Sequence, residues 1–124
     1  MEKNLYLGID IGTYETKGVL VNHIGEILAQ SFKKHELIVP QKGWAEHRPQ
    51  EDWWNDFIFI SKDLLQKSNC DPKNIRAVTV SAIGPCMLPV DKEGKPLMNA
   101  ILYGVDTRAH KEIVDLNEKI GEKT

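Results

Sequence analysis

Cysteine is scarce in this 124-residue chain, which has only Cys70 and Cys86. Two cysteines cannot make a disulfide framework, and their spacing matches no zinc motif. Cys70 is read as a loop thiol and Cys86 as a small packing residue. An excess of either charge is also missing. Sixteen Lys and Arg face eighteen Asp and Glu, a near-balance that argues against a dedicated nucleic-acid binder. No apolar run approaches the roughly 18 residues of a membrane span. The opening Met1-Glu2-Lys3-Asn4 lacks a signal peptide's pattern, so the expected compartment is the cytosol. There is no internal repeat and no low-complexity segment. What is present is a globular composition, 41% hydrophobic and 27% charged, which excludes intrinsic disorder. The length suits one domain.

Local patterning predicts an α/β chain. Residues 5–11 read as a strand with no helical period. Residues 12–15 read as a turn, 16–21 as a second strand, 23–25 as another turn and 26–37 as a third strand. Two short turns in succession make an antiparallel meander. Residues 40–48 are expected to form a long loop. Pro49 then suits a first helical position, with Glu51 and Asp52 near the positive end of the helix dipole. Trp53, Phe57, Ile60 and Leu64, with Trp54, Ile58 and Leu65 beside them, mark one wide apolar face ending near Ser68-Asn69. Residues 75–83 form a nearly unbroken apolar run, as in a strand buried on both faces. Residues 87–90 and 100–103 are further strands, separated by a turn at residues 91–94. Residues 108–120 are a second helix, with an exit over 121–124.

The sharpest chemical signal is Gly8-Ile9-Asp10-Ile11-Gly12-Thr13-Tyr14-Glu15-Thr16-Lys17-Gly18. An acid ends an apolar strand, a glycine turn follows, and hydroxyls and a cation begin the next strand. A phosphate needs such parts. Glycine lets backbone N–H groups approach an anion, Thr13 and Thr16 add hydroxyl donors, and Lys17 adds a mobile positive charge. Asp10 suits Mg²⁺ held through water. The pattern is not a P-loop, which has glycine before its lysine and a helix after it. A plain hairpin with polar tips is the alternative reading of these eleven residues.

With these residues quoted, the chain resembles the actin, heat-shock-70 and sugar-kinase superfamily. Two further segments are similar to the FGGY carbohydrate kinases, which include xylulokinase, gluconokinase and glycerol kinase. One is Gly43-Trp44-Ala45-Glu46 with Pro49 and Trp53-Trp54. The other runs from Leu88-Pro89-Val90-Asp91 through Gly94-Lys95-Pro96-Leu97 into Ala100-Ile101-Leu102-Tyr103 and Asp106-Thr107-Arg108.

The resemblance implies an incomplete ribonuclease-H-like fold, with residues 1–124 forming the N-terminal portion of the first kinase domain. It implies ATP-dependent phosphorylation of a sugar or polyol, with ATP and Mg²⁺ as cofactors. By position, Asp10 is the Mg²⁺-associated acid, and Gly12, Thr13, Thr16 and Lys17 are the phosphate hairpin. Gly84, Pro85, Tyr103 and Asp106 fall on the sugar side. One extra residue stands between Tyr103 and Asp106 relative to the family pattern. Ile83-Gly84-Pro85 stand where xylulokinases carry Gln-Met-His. Glu15 is expected to point away from the phosphates, which its carboxylate would repel.

The resemblance places the family's catalytic base and adenosine pocket beyond Thr124. The fragment alone is therefore expected to be inactive, and no catalytic residue is assigned in it. Asp106 before a helix also fits a cap or an ion-pair role. Neither nucleic acid nor membrane is an expected partner; a homo-oligomer is compatible with the kinase reading, and a stand-alone module requires one, because half a domain leaves apolar surface uncovered. Trp44 is read as a loop anchor, Trp53 and Trp54 as packing residues, and Met87 and Met98 as gap fillers. His23, His35, His47 and His110 show no metal-ligand spacing and are expected on the surface. The rival functions are a non-catalytic nucleotide- or protein-binding module and an ATPase indifferent to sugars.

Overall fold

The computed structural model describes residues 3–121. Strands β1 (Leu5–Ile11), β2 (Glu15–Val21) and β3 (Ile27–Lys34) form the antiparallel meander. Helix α1 (Asn55–Ser68) crosses back, and β5 (Ile75–Ala82) returns parallel to β1. The sheet order is β3-β2-β1-β5.

Alternation decides which residues meet the helix. Leu5, Leu7, Ile9 and Ile11 of β1 face α1 with Leu20 and Ala29, and Ile60 and Leu64 close the core from the helix. The helix can approach because β2 carries Gly18 beneath Ile60. Its start is held by Asp52. That carboxylate accepts from the Arg48 backbone N–H at 2.7 Å and from the Arg48 guanidinium at 2.8 Å. Burial alone would raise the Asp52 carboxyl, but the Arg48 hydrogen bonds outweigh it and hold the carboxyl below its ordinary value. The entry turn, Pro49–Trp54, is π-helical. Asn69, in the left-handed region at φ 51°, ends the helix.

Several expectations are corrected. The third strand stops at Lys34, well before residue 37. The loop over residues 40–48 contains β4 (Glu46–His47). It pairs with β7 (Ala100–Leu102), which pairs with β6 (Cys86–Met87) in a second sheet. The strand expected over residues 87–90 is thus shorter and earlier. Strand β5 is an edge strand whose apolar side is open. Val78 and Val80 are about half exposed, because α1 lies mainly over β3 and β2, with β1 at its margin, and leaves β5 uncovered. Trp54 is exposed and stacks on Phe57 at 5.6 Å, while Trp53 and Cys70 each pack against the core, before and after α1. Met87 and Met98 are exposed. Helix α2 (His110–Ile120) starts two residues late, with Ile113, Leu116 and Ile120 exposed. The exit expected over residues 121–124 lies, past Gly121, outside the described residues. Among the described residues no helix is long and apolar enough to cross a membrane.

Candidate phosphate hairpin and sugar-side groove

The β1–β2 hairpin sorts its polar residues onto two faces. On the face away from α1, Asp10 pairs in register with Lys17, and Asp10 pairs with Ser81 of β5. Ser81 donates its hydroxyl to Asp10 Oδ1 at 2.6 Å. These three residues line a shallow pocket of about 230 Å³ with Gly8, Val19 and Thr79. At the tip, Gly12 N–H donates to Glu15 C=O at 2.9 Å and closes the turn. A β-carbon on Gly12 would lie 3.0 Å from that oxygen. Among the described residues, the N–H groups of Thr13 and Tyr14 have no protein acceptor.

Two expected roles are corrected. Thr16 is fully buried and donates its hydroxyl to Asp56 Oδ2 at 3.0 Å. Thr16 and Lys17 are consecutive in a strand, so only one of them can face the pocket. Glu15 does not turn away. It sits two residues from Lys17 on the same side, with its carboxylate 2.9 Å from Nζ. The hydrogen bond to Glu15 holds the Lys17 ammonium above its ordinary range.

Behind the hairpin lies a buried polar group that sequence reasoning missed. His35 and His47 are not surface residues: the His35 side chain is 3% exposed and His47 is wholly buried. His35 Nδ1 is 2.8 Å from Asp56 Oδ2, and Nε2 is 2.9 Å from the Gly12 carbonyl oxygen. His47 Nε2 is 2.8 Å from the Thr13 carbonyl oxygen, and its Nδ1 accepts from Trp53 Nε1–H at 3.1 Å. The two imidazoles meet edge-on at 4.8 Å. Lys33 Nζ lies 2.9 Å from Asp56 Oδ1. That oxygen has no well-aligned hydrogen bond, so Lys33 serves it as an ion pair. Ser81 was visible only as a polar interruption near the end of an apolar strand.

Pro85, Tyr103 and Asp106 line one largely apolar groove of about 630 Å³ with Cys86, Met87 and Arg108. Gly84 precedes Pro85 through a cis peptide bond. Tyr103 is exposed. Asp106 is taken up by the protein. Its oxygens accept from Ala45 N–H at 2.7 Å, Arg108 N–H at 3.0 Å and the Arg108 guanidinium at 2.7 Å. The Arg108 hydrogen bonds outweigh the effect of burial and bring its carboxyl down to about 2. Asp106 therefore holds the turn before α2 and does not cap the helix, whose N-cap is Ala109. Arg108 also reaches Glu46 at 2.8 Å and lies 3.9 Å from the centre of the Trp44 ring. Trp44 anchors the loop through that stack.

Residues 5–124 match the family model described as the FGGY family of carbohydrate kinases, N-terminal domain. Xylulose kinase from Bacillus subtilis is 34% identical over 94% of this chain, and a glycerol kinase from Beutenbergia cavernae is 33% identical over 93%. The chain spans 23% of the length of each. The crystal structure of xylulose kinase from Rhodospirillum rubrum superposes with a TM-score of 0.83 at 25% identity, over 94% of this chain and 24% of that one.

Proposed function

The chain belongs to the FGGY family of carbohydrate kinases, and from that premise we propose that it is the N-terminal part of an enzyme that moves the γ-phosphoryl group of ATP onto a hydroxyl of a sugar or polyol. The observation that carries this reading is the outer face of the hairpin. Asp10 and Lys17 oppose each other across β1 and β2 beside tip N–H groups with no protein acceptor. A polyphosphate needs a cation, free amides and a place for its counter-ion. Lys17 Nζ would exchange the Glu15 carboxylate for a phosphate oxygen, and Thr13 would add a hydroxyl.

Asp10 fits Mg²⁺. One oxygen is oriented by Ser81 and the carboxylate is open to solvent. A single carboxylate suits an ion that keeps most of its water. When bound, Mg²⁺ neutralises charge on the phosphate oxygens. The groove of Pro85 and Tyr103 would hold the sugar, with Asp106 and Arg108 shaping its wall. No residue here is assigned as the base that accepts the hydroxyl proton, so the reaction needs groups that this chain does not provide.

The test is ADP release by the longer protein that carries this domain, with ATP, Mg²⁺ and a panel of pentuloses, polyols and aldonates. We expect stimulation by at least one. Release that no sugar or polyol alters would overturn the proposal and favour an ATPase.

A further inference from the structure

We infer that His35 is a positioning residue of the phosphate hairpin, a buried imidazolium anchored on Asp56 that holds the Gly12 carbonyl inward so that the Thr13 amide at the tip faces out. The inference deepens the reading above and rests on it for the identity of the bound anion.

The geometry fixes which nitrogens carry protons. His35 Nδ1 faces a carboxylate oxygen and Nε2 faces a carbonyl oxygen. Neither partner can donate, so both contacts are hydrogen bonds only when both nitrogens carry hydrogen. His47 differs. Its Nε2 also faces a carbonyl, but its Nδ1 receives the Trp53 indole N–H and must be bare. His47 is therefore the neutral Nε2–H tautomer. Burial also favours its neutral form, which agrees.

The Asp56 carboxylate of α1 faces His35 through one oxygen and Lys33 of β3 through the other, and His47 of β4 presents an uncharged edge. With His35 protonated these groups carry one net positive charge, and the Lys33 ammonium, whose side chain is 38% exposed, is the one that water reaches. Asp52 lies beyond, held by Arg48.

The consequence falls on the hairpin. Successive carbonyls of Gly12 and Thr13 are each drawn inward by an imidazole N–H. A peptide unit is planar, so an inward carbonyl turns the N–H of the next residue outward. Those next residues are Thr13 and Tyr14, whose N–H groups have no acceptor among the described residues. His35 thus acts through the backbone on the Thr13 donor, with its own cation one peptide behind it, and His47 does the same for Tyr14.

The test is NMR of the 124-residue chain, wild type first. Ring nitrogen-15 spectra at neutral pH are expected to show two protonated nitrogens on His35 and one on His47. A bare nitrogen on His35 overturns the inference without any variant. The backbone amide nitrogen shift of Thr13, which reports the hydrogen bond on the preceding Gly12 carbonyl, is then compared in His35→Gln, which keeps a donor toward Gly12, and His35→Leu, which does not. The Thr13 nitrogen should move upfield in the leucine variant relative to the glutamine variant, since its peptide has lost the carbonyl hydrogen bond. Equal Thr13 shifts in the two variants also overturn it. Neither readout uses a nucleotide. A chain that passes both but shows no tripolyphosphate-induced shifts at Thr13, Tyr14 or Lys17 would refute the phosphate role given to the hairpin and leave the positioning role standing.

Discussion

Gly18 of β2 and Ile60 of α1 are so close that a β-carbon on the glycine would lie 2.3 Å from Ile60 Cγ2. Leu64 Cδ1 would be 3.1 Å away. This approach seats α1 on the sheet, and the same helix delivers Asp56 to the hairpin.

Gly18→Ala must therefore push the helix away or force Ile60 off its rotamer. Overpacking of this kind costs about 1–3 kcal/mol. Urea unfolding should show a loss in that range, and Gly18→Ala should cost less when it is made in an Ile60→Ala background, where the clashing methyl is gone. A Gly18→Ala chain as stable as the parent would show that the helix does not depend on this contact.

Asp56 gathers Thr16, His35 and Lys33 with a side chain only 1% exposed. Removing one partner of a buried ion pair strands the others, at about 3–5 kcal/mol. Asp56→Ala should therefore be far more damaging than Thr16→Val, which removes one neutral donor at about 1 kcal/mol. Denaturant midpoints of the two variants test the ranking. Equal losses would mean that the carboxylate is not the hub.

Much of this site was legible because it is local. Asp10, Gly12 and Lys17 sit within eight residues, and a strand-turn-strand pattern places them together. Thr16 was also decidable, since strand alternation sends it opposite to Lys17. The buried histidines were not. His35 and His47 meet carbonyls 23 and 34 residues away, and no local period marks a polar residue that is buried because a distant turn needs its N–H. In the second sheet β7 was legible, but β4 escaped and β6 was misplaced, because strands of two residues are too short to show alternation. Strand β5 misled for another reason. An apolar run says that a strand can be covered, and which neighbour covers it is a matter of tertiary packing.

Glu15 holds the ammonium that a phosphate would need. Glu15→Gln should raise tripolyphosphate affinity about two- to fivefold, the worth of an exposed ion pair, and the gain should shrink with added salt. Lys17→Ala should abolish the binding. Titration by isothermal calorimetry measures both. Weaker binding in Glu15→Gln would show that the carboxylate assists the anion site, for instance through its counter-ion.

The loop clamp should open in acid. Asp106 has a carboxyl brought down to about 2 in the folded chain, against an ordinary 3.8. A depressed carboxyl favours the folded arrangement above its unfolded value, and that favour is lost as pH falls through the folded value. The window is thus about pH 4 to 2. Protonated Asp106 accepts less strongly from Ala45 N–H and from Arg108, leaving the guanidinium with Glu46 alone. Arg108 lies 3.9 Å from the centre of the Trp44 ring, so its release should change Trp44 fluorescence within that window. The Trp44→Phe chain should lack the transition, which separates this signal from Trp53 and Trp54. Asp106→Asn should show the acid-type emission already at neutral pH. Emission that stays flat from pH 4 to 2, in a chain whose circular dichroism is unchanged, would mean that Arg108 is held on Trp44 by Glu46 and packing, and that Asp106 only fixes the backbone at Ala45.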